Sequence, residues 1–252
     1  MLNTINFPDP NTYYGLRDCM KCVKERIAFL LFSIGLMLSF IIPNILVVFF
    51  PEYGILMSNI EATSVFIFML ALLSTGFVFG KDRIESLCFV WIYLSTAISC
   101  IWDFGYIFVN VELTRNVFNP WLFMWWGYGI ADTRYIHNDL TVYTLELITG
   151  ILAWACLFGY IFIKDGVKKR LIMLVESVAK LITTLIFFLM ELIQGFPDVP
   201  IDFFGFCVKF GGLNLLWIIM PLISIIYSSN YILKRNLDSF SSSLNFSPDF
   251  DT

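Results

Sequence analysis

Residues 27–50 read IAFLLFSIGLMLSFIIPNILVVFF, twenty-four positions without one charged side chain. About 20 apolar residues are enough to carry a helix through the hydrocarbon of a bilayer. Lipid cannot satisfy free backbone groups, so a segment of this kind crosses as a helix and not as a lone strand. Five further runs follow the same pattern, at 62–80, 86–109, 141–163, 171–193 and 205–229. The composition agrees with them. Of the 252 residues 58% are hydrophobic and only 14% charged, with a mean hydropathy of +0.78. A soluble domain carries about 25% charged residues. The sequence therefore predicts an all-α, polytopic membrane helix bundle with about six transmembrane helices. The first run begins after a polar leader and is read as a retained spanning helix rather than a cleaved signal. Nothing resembles a basic arm or a Gly-rich phosphate loop, so no nucleic-acid partner is expected.

The sixteen Lys and Arg residues orient the spans. Arg17, Lys21, Lys24, Arg26, Lys81, Arg83, Lys164, Lys168, Lys169, Arg170, Lys234 and Arg235 fall on one side of the six-span layout, against Arg115 and Arg134 on the other. Cytoplasmic loops collect Lys and Arg. Both termini are thus expected in the cytoplasm, with the Trp- and Tyr-rich 110–140 loop on the far face. On this topology the sequon Asn245-Phe246-Ser247 stays unmodified. The expected result is a mass unchanged by endoglycosidase; a shift at Asn245 would reverse the orientation.

The cysteines carry little chemistry. Cys19 and Cys22 form one CxxC pair with no second pair, short of the four ligands of structural zinc. They are read as reduced or palmitoylated thiols, and the four cysteines inside spans as packing residues. No metal site is expected. His137, the one histidine, lies in the loop and is not expected to be catalytic.

Ionisable groups inside spans are costly and tend to face protein or a cavity. Asp103 and Glu146 sit deep in different spans, with polar neighbours at helical spacing: Ser99 and Tyr106 about Asp103, Tyr143 and Thr149 about Glu146. Either they make helix–helix hydrogen bonds, or they line a shared pocket that binds a cation or moves a proton. Lys180 is expected to pair with an intramembrane acid. If that acid is Glu146, the glutamate stays ionised and is a poor proton donor. Glu176, Glu191 and Lys209 lie nearer the span ends and are expected to snorkel to the interface.

Three stretches together resemble a known family. WWGYGIADTRYIHNDLTVYTLELIT (125–149), SVAKLITTLIFFLME (177–191) and NLLWIIMP (214–221) resemble the emopamil-binding protein family, the sterol Δ8–Δ7 isomerases. The resemblance covers roughly 62–230. It implies a five-helix sterol-isomerase membrane domain over 62–230. To this are added a leader at 1–26, an extra N-terminal span and loop at 27–61, and a disordered cytoplasmic tail at 231–252. The family's enzymes carry a His and a Glu four apart on the span before the loop; the matching positions here are Ser99 and Asp103. The carboxylate survives as a shorter acid, and the histidine does not.

The resemblance implies Glu146 and Asp103 as the catalytic pair. It implies Trp217, Asn214, Thr149, Tyr106, Tyr128 and Ser99 as the substrate-binding set, Trp217 offering a face to a carbocation, Asn214 and Thr149 orienting the carboxylates. Asp132, Arg134, Tyr135 and Asp139 hold the loop. It further implies a sterol substrate, no cofactor, inhibition by cationic amphiphilic amines, and residence in the endoplasmic reticulum membrane among its lipids; a homodimer is left open. The missing histidine leaves a second reading beside the isomerase, a catalytically silent binder of sterols and cationic amphiphiles of the sigma-2 receptor type.

Overall fold

The computed structural model describes residues 23–79, 82–113, 119–200 and 202–244. Arg17, Cys19, Lys21, Cys22, Lys81, Arg115 and Asn245, singled out above, lie outside the described residues. Among the described residues seven α-helices follow in order: α1 Val23–Phe49, α2 Gly54–Phe79, α3 Arg83–Leu113, the short α4 Phe123–Gly129, α5 Leu140–Phe162, α6 Gly166–Gln194 and α7 Asn214–Leu244. A π-helical segment, Phe203–Leu213, leads directly into α7. No strand occurs among the described residues. Six helical stretches are long and apolar enough to span a membrane, which makes this the expected all-α, multi-pass membrane bundle.

Aspartates start many of the helices. Asp82 accepts from the backbone of Ile84 and Glu85 at 3.1 Å each, Asp139 from Thr141 and Val142 at 2.8 and 3.0 Å, and Asp165 from Lys168 at 2.8 Å. Asp202 does the same for the π segment through Gly205 N at 2.9 Å. A carboxylate suits this position because the first N–H groups of a helix lack intrahelical partners and form its positive end. α6 stops at Gly195, whose φ of +81° is the left-handed turn that glycine adopts without strain. Pro43 interrupts the ladder of α1, and the Asn44 side chain donates to the Phe40 carbonyl at 2.6 Å.

The helices pack as a ring. α2 lies on α3, α3 on α5, α5 on α6 and α6 on α7, while the π segment meets α2 and α7 meets α3. α1 packs on the outside of α2. Most of its surface faces outward: Leu30, Leu31, Met37 and Phe49 are all exposed, as lipid-facing residues should be. At one end of the ring Trp91, Leu72, Met69 and Met173 are fully packed. There Arg170 pairs with Glu85 and is enclosed by the rings of Phe89, Tyr227 and Tyr231. At the loop end Tyr106, Tyr135, Val142, Phe187 and Phe210 form a second apolar cluster.

Three sequence expectations change. The second span begins at Gly54, not near 62, because Pro51 opens a 3-10 turn that runs straight into the helix. That earlier start brings Ser58 and Glu61 into the bundle. The tail expected to be disordered from 231 is helical as far as Leu244, consistent with apolar residues 233, 237, 240 and 244 recurring at helical spacing. Cys207 is exposed rather than packed in the core, although Cys88 and Cys156 are buried.

Candidate intramembrane site

Between the two apolar clusters lies a cavity walled by α2, α3, α5, α6, the π segment and α7, with Gly127 and Tyr128 of α4 at the loop end. About 1060 Å³ of it, mouth included, is free of protein atoms.

Of the residues expected to act, Asp103, Glu146, Trp217, Asn214, Thr149, Tyr128 and Ser99 all line this one cavity. Their convergence has a local cause. Gly150, one turn after Glu146, presses its bare Cα against the backbone of Phe104, the neighbour of Asp103; a Cβ there would sit 2.9 Å from Phe104 Cα. The close crossing of α3 and α5 brings Asp103 and Glu146 to the wall of the same cavity.

The residue that fixes Glu146 is Tyr135. Its hydroxyl donates to Glu146 Oε1, and its ring is held edge-on by Tyr106 at 4.9 Å and Tyr128 at 5.1 Å. Tyr135 thus does more than hold the loop. Asn214 and Thr149 do not orient the carboxylates: Asn214 Nδ2 donates to Tyr128 Oη at 2.6 Å, and Thr149 Oγ1 bonds to the carbonyls of Leu145 and Glu146 at 3.0 and 3.2 Å. Short side chains on a helix find their own preceding carbonyls first. Tyr106 stands behind the cavity wall, fully buried, donating to the Tyr135 carbonyl at 3.1 Å. It supports the site without facing a ligand.

The loop that delivers Tyr135 is built around Arg134. Asp132 caps the single 3-10 turn Thr133–Tyr135 and grips the Arg134 guanidinium through both oxygens, at 2.9 and 2.6 Å. Arg134 also pairs with Glu191 of α6 at 3.0 Å and stacks 4.2 Å above the Phe187 ring. Burial pushes the Asp132 carboxyl up from its ordinary range, and the bonds to Arg134 oppose that rise. Asp139 closes the loop as the cap of α5. His137 is exposed.

The remaining charges depart from expectation. Glu176, Glu191 and Lys209 do not snorkel; they are 0%, 0% and 3% exposed. Glu176 has its partner at i,i+4 on its own helix, whereas those of Glu191 and Lys209 lie far off in sequence. Lys180 Nζ lies 2.9 Å from Glu176 Oε1, the pair spaced i,i+4 on α6, and Thr96 donates to the same oxygen at 2.7 Å. Lys180 therefore pairs with Glu176 and not with Glu146. Its ammonium also stands 5.0 Å above the Trp217 ring. Lys209 donates to Ser58 Oγ and to the Gly127 carbonyl, beside Glu61. Sequence reading missed Glu61, Ser58 and the cavity role of Lys209; the polar face SNIE at the start of α2 was the available signal.

No protein-family model matches the chain. It is 23% identical over 144 residues to a probable 3-beta-hydroxysteroid-Delta(8),Delta(7)-isomerase of Arabidopsis thaliana, a stretch covering 56% of this chain and 64% of that protein. The match thus spans less than two thirds of the relative's length. This distant similarity supports the resemblance read from the three motifs.

Proposed function

We propose that this chain is a sterol Δ8–Δ7 isomerase of the endoplasmic reticulum membrane, with both termini in the cytoplasm. The observation that carries the reading is that Asp103 and Glu146 line one intramembrane cavity, with the Tyr135 hydroxyl donating to Glu146. The reaction needs no cofactor. One proton is added at carbon 9, a cation forms at carbon 8, and one proton leaves carbon 7. Both carbons are bonded to carbon 8, so a single carboxyl pair can serve them. The pair begins with one proton, gives it to carbon 9 and becomes doubly ionised. Its two negative charges then face the cation, and one of them is neutralised as the pair takes the proton from carbon 7. Atoms and charge balance, and the pair returns to its starting state. Trp217 is less suited to the cation than the resemblance implied, because the Lys180 ammonium already stands over its ring.

A specific observation favours a second reading. Ser99 is fully buried, its Oγ has no hydrogen-bond partner, and it stands where the resembled enzymes carry their histidine. A pocket with paired acids and no imidazole suits a silent receptor for sterols and protonated amines. Expression in an isomerase-null yeast separates the two. The expected result is a fall in Δ8 sterols with a matching rise in Δ7 sterols, and a higher turnover in Ser99→His, which places an imidazole one turn from Asp103. Unchanged Δ8 sterol beside intact amine binding would establish the receptor; loss of both would end the sterol reading.

A further inference from the structure

The same cavity carries a second polar group, made by Ser58 and Glu61 of α2 and Lys209 of the π segment. Ser58 and Glu61 precede the stretch that resembles the isomerases, and the carboxyl-pair chemistry makes no use of any of the three. Glu61 and Lys209 are 6% and 3% exposed. Charges so deep in a membrane bundle are costly unless paired, and those retained tend to serve a ligand or a path. Part of the group is a structural tie. Gly127 has no side chain, and a Cβ there would come within 2.8 Å of Ser58 Oγ; Ser58 donates to the Gly127 carbonyl at 2.8 Å. Lys209 spends two of its N–H groups on Ser58 and on that same carbonyl. An ammonium has three. Glu61 meanwhile accepts from Asn44 of α1 at 3.4 Å, a long contact through one oxygen.

The wall therefore offers one acceptor and one donor side by side, both facing the cavity. A hydroxyl group is both a donor and an acceptor. We infer that Glu61 and Lys209 form a hydroxyl clamp for the sterol, Glu61 accepting its 3-hydroxyl proton and Lys209 donating to its oxygen; this rests on the proposed sterol reading. Depth agrees with the assignment. Glu61 lies seven residues into α2 and Glu146 six into α5, both counted from the helix end on the loop side, about 10 and 9 Å at 1.5 Å per residue. The clamp and the carboxyl pair thus share one level of the cavity wall. A sterol nucleus laid across the ring brings its hydroxyl to α2 and its reacting carbons to α3 and α5. The extra helix α1 enters through Asn44, which helps to hold Glu61.

The test compares a 3β-hydroxy Δ8 sterol with its 3-deoxy and 3-methyl ether counterparts, in binding and in conversion, on purified protein in lipid nanodiscs. A hydrogen bond to a charged group is worth about 1.5–3 kcal/mol, so the hydroxy sterol is expected to bind about 10- to 100-fold more tightly than either counterpart. In the charge-neutral double variant Glu61→Gln/Lys209→Met that ratio is expected to fall towards one. Ser58→Ala, which leaves both charges in place, is expected to keep most of it. Equal binding of the three sterols by the wild-type protein would overturn the clamp without a variant being needed. So would a ratio that survives in the folded double variant. Binding preference without conversion would uphold the clamp and remove the isomerase; conversion without preference would do the reverse.

Discussion

Glu146→Gln is expected to abolish sterol isomerisation, lowering turnover by about 10²–10⁴-fold, the range typical of a lost acid–base group. The amide has the shape of the acid. Its oxygen still accepts from the Tyr135 hydroxyl, so the cavity wall and the loop above it stay in place. What disappears is the carboxyl group that the proposed mechanism uses to give and take the proton. Asp103 alone retains one carboxyl, but the Tyr135 hydroxyl that fixes the partner's oxygen does not reach it by any bond seen here. The measurement is product formation from a Δ8 sterol alongside equilibrium binding of the same sterol. Binding should be kept within a few-fold while conversion is lost, because the amide removes transition-state chemistry and not the apolar walls. Affinity for a cationic amphiphile should weaken in the same variant, since a negative counter-charge has gone. Full conversion by Glu146→Gln would refute the carboxyl-pair mechanism.

The spans were legible because lipid leaves a chain few choices. Runs such as 27–50 and 141–163 must be helices, and α1 and α5 cover them to within a few residues. The start of α2 was not legible by the same rule. Ser58, Asn59 and Glu61 lower the local hydropathy, so a reading by apolar run begins after them. The helix forms there regardless, since a backbone entering a membrane must bond to itself and Pro51 has already set the first turn. Depth was likewise readable for Asp103 and Glu146, but partners were not. The pairing of Glu191 with Arg134 joins residues 57 apart in sequence, and that of Lys209 with Ser58 joins residues 151 apart. Nothing in either local pattern announces it, and without a partner a charge near a span end is sensibly read as snorkelling. The crossing at Gly150 illustrates the same limit. One small residue among large ones marks a close approach, but only the fold says that Phe104 lies opposite.

Arg134→Met is expected to be the most damaging single change to stability, costing about 3–5 kcal/mol. Arg134 is 5% exposed and stands between Asp132 and Glu191, both fully buried. Methionine fills some of the volume and keeps contact with the Phe187 ring, but it leaves two carboxyls without their cation. The unfolding temperature in detergent should fall by on the order of 10 °C. Arg134→Lys should recover only part of the loss, because one ammonium cannot reproduce the two-pronged grip on Asp132 together with the bonds to Glu191 and to the Phe187 carbonyl at 3.3 Å. Neutralising all three positions, as Asp132→Asn/Arg134→Met/Glu191→Gln, should restore most of the wild-type stability, since the damage comes from stranded charge and not from a lost attraction. That triple variant also separates folding from activity. Its loop is neutral and packed, but Asp132 no longer anchors the 3-10 turn through a guanidinium, so Tyr135 is held less firmly against Glu146 and turnover should stay low after stability returns. An unfolding temperature for Arg134→Met equal to that of the wild type would show that the cluster is solvated and that Tyr135 is positioned by something else.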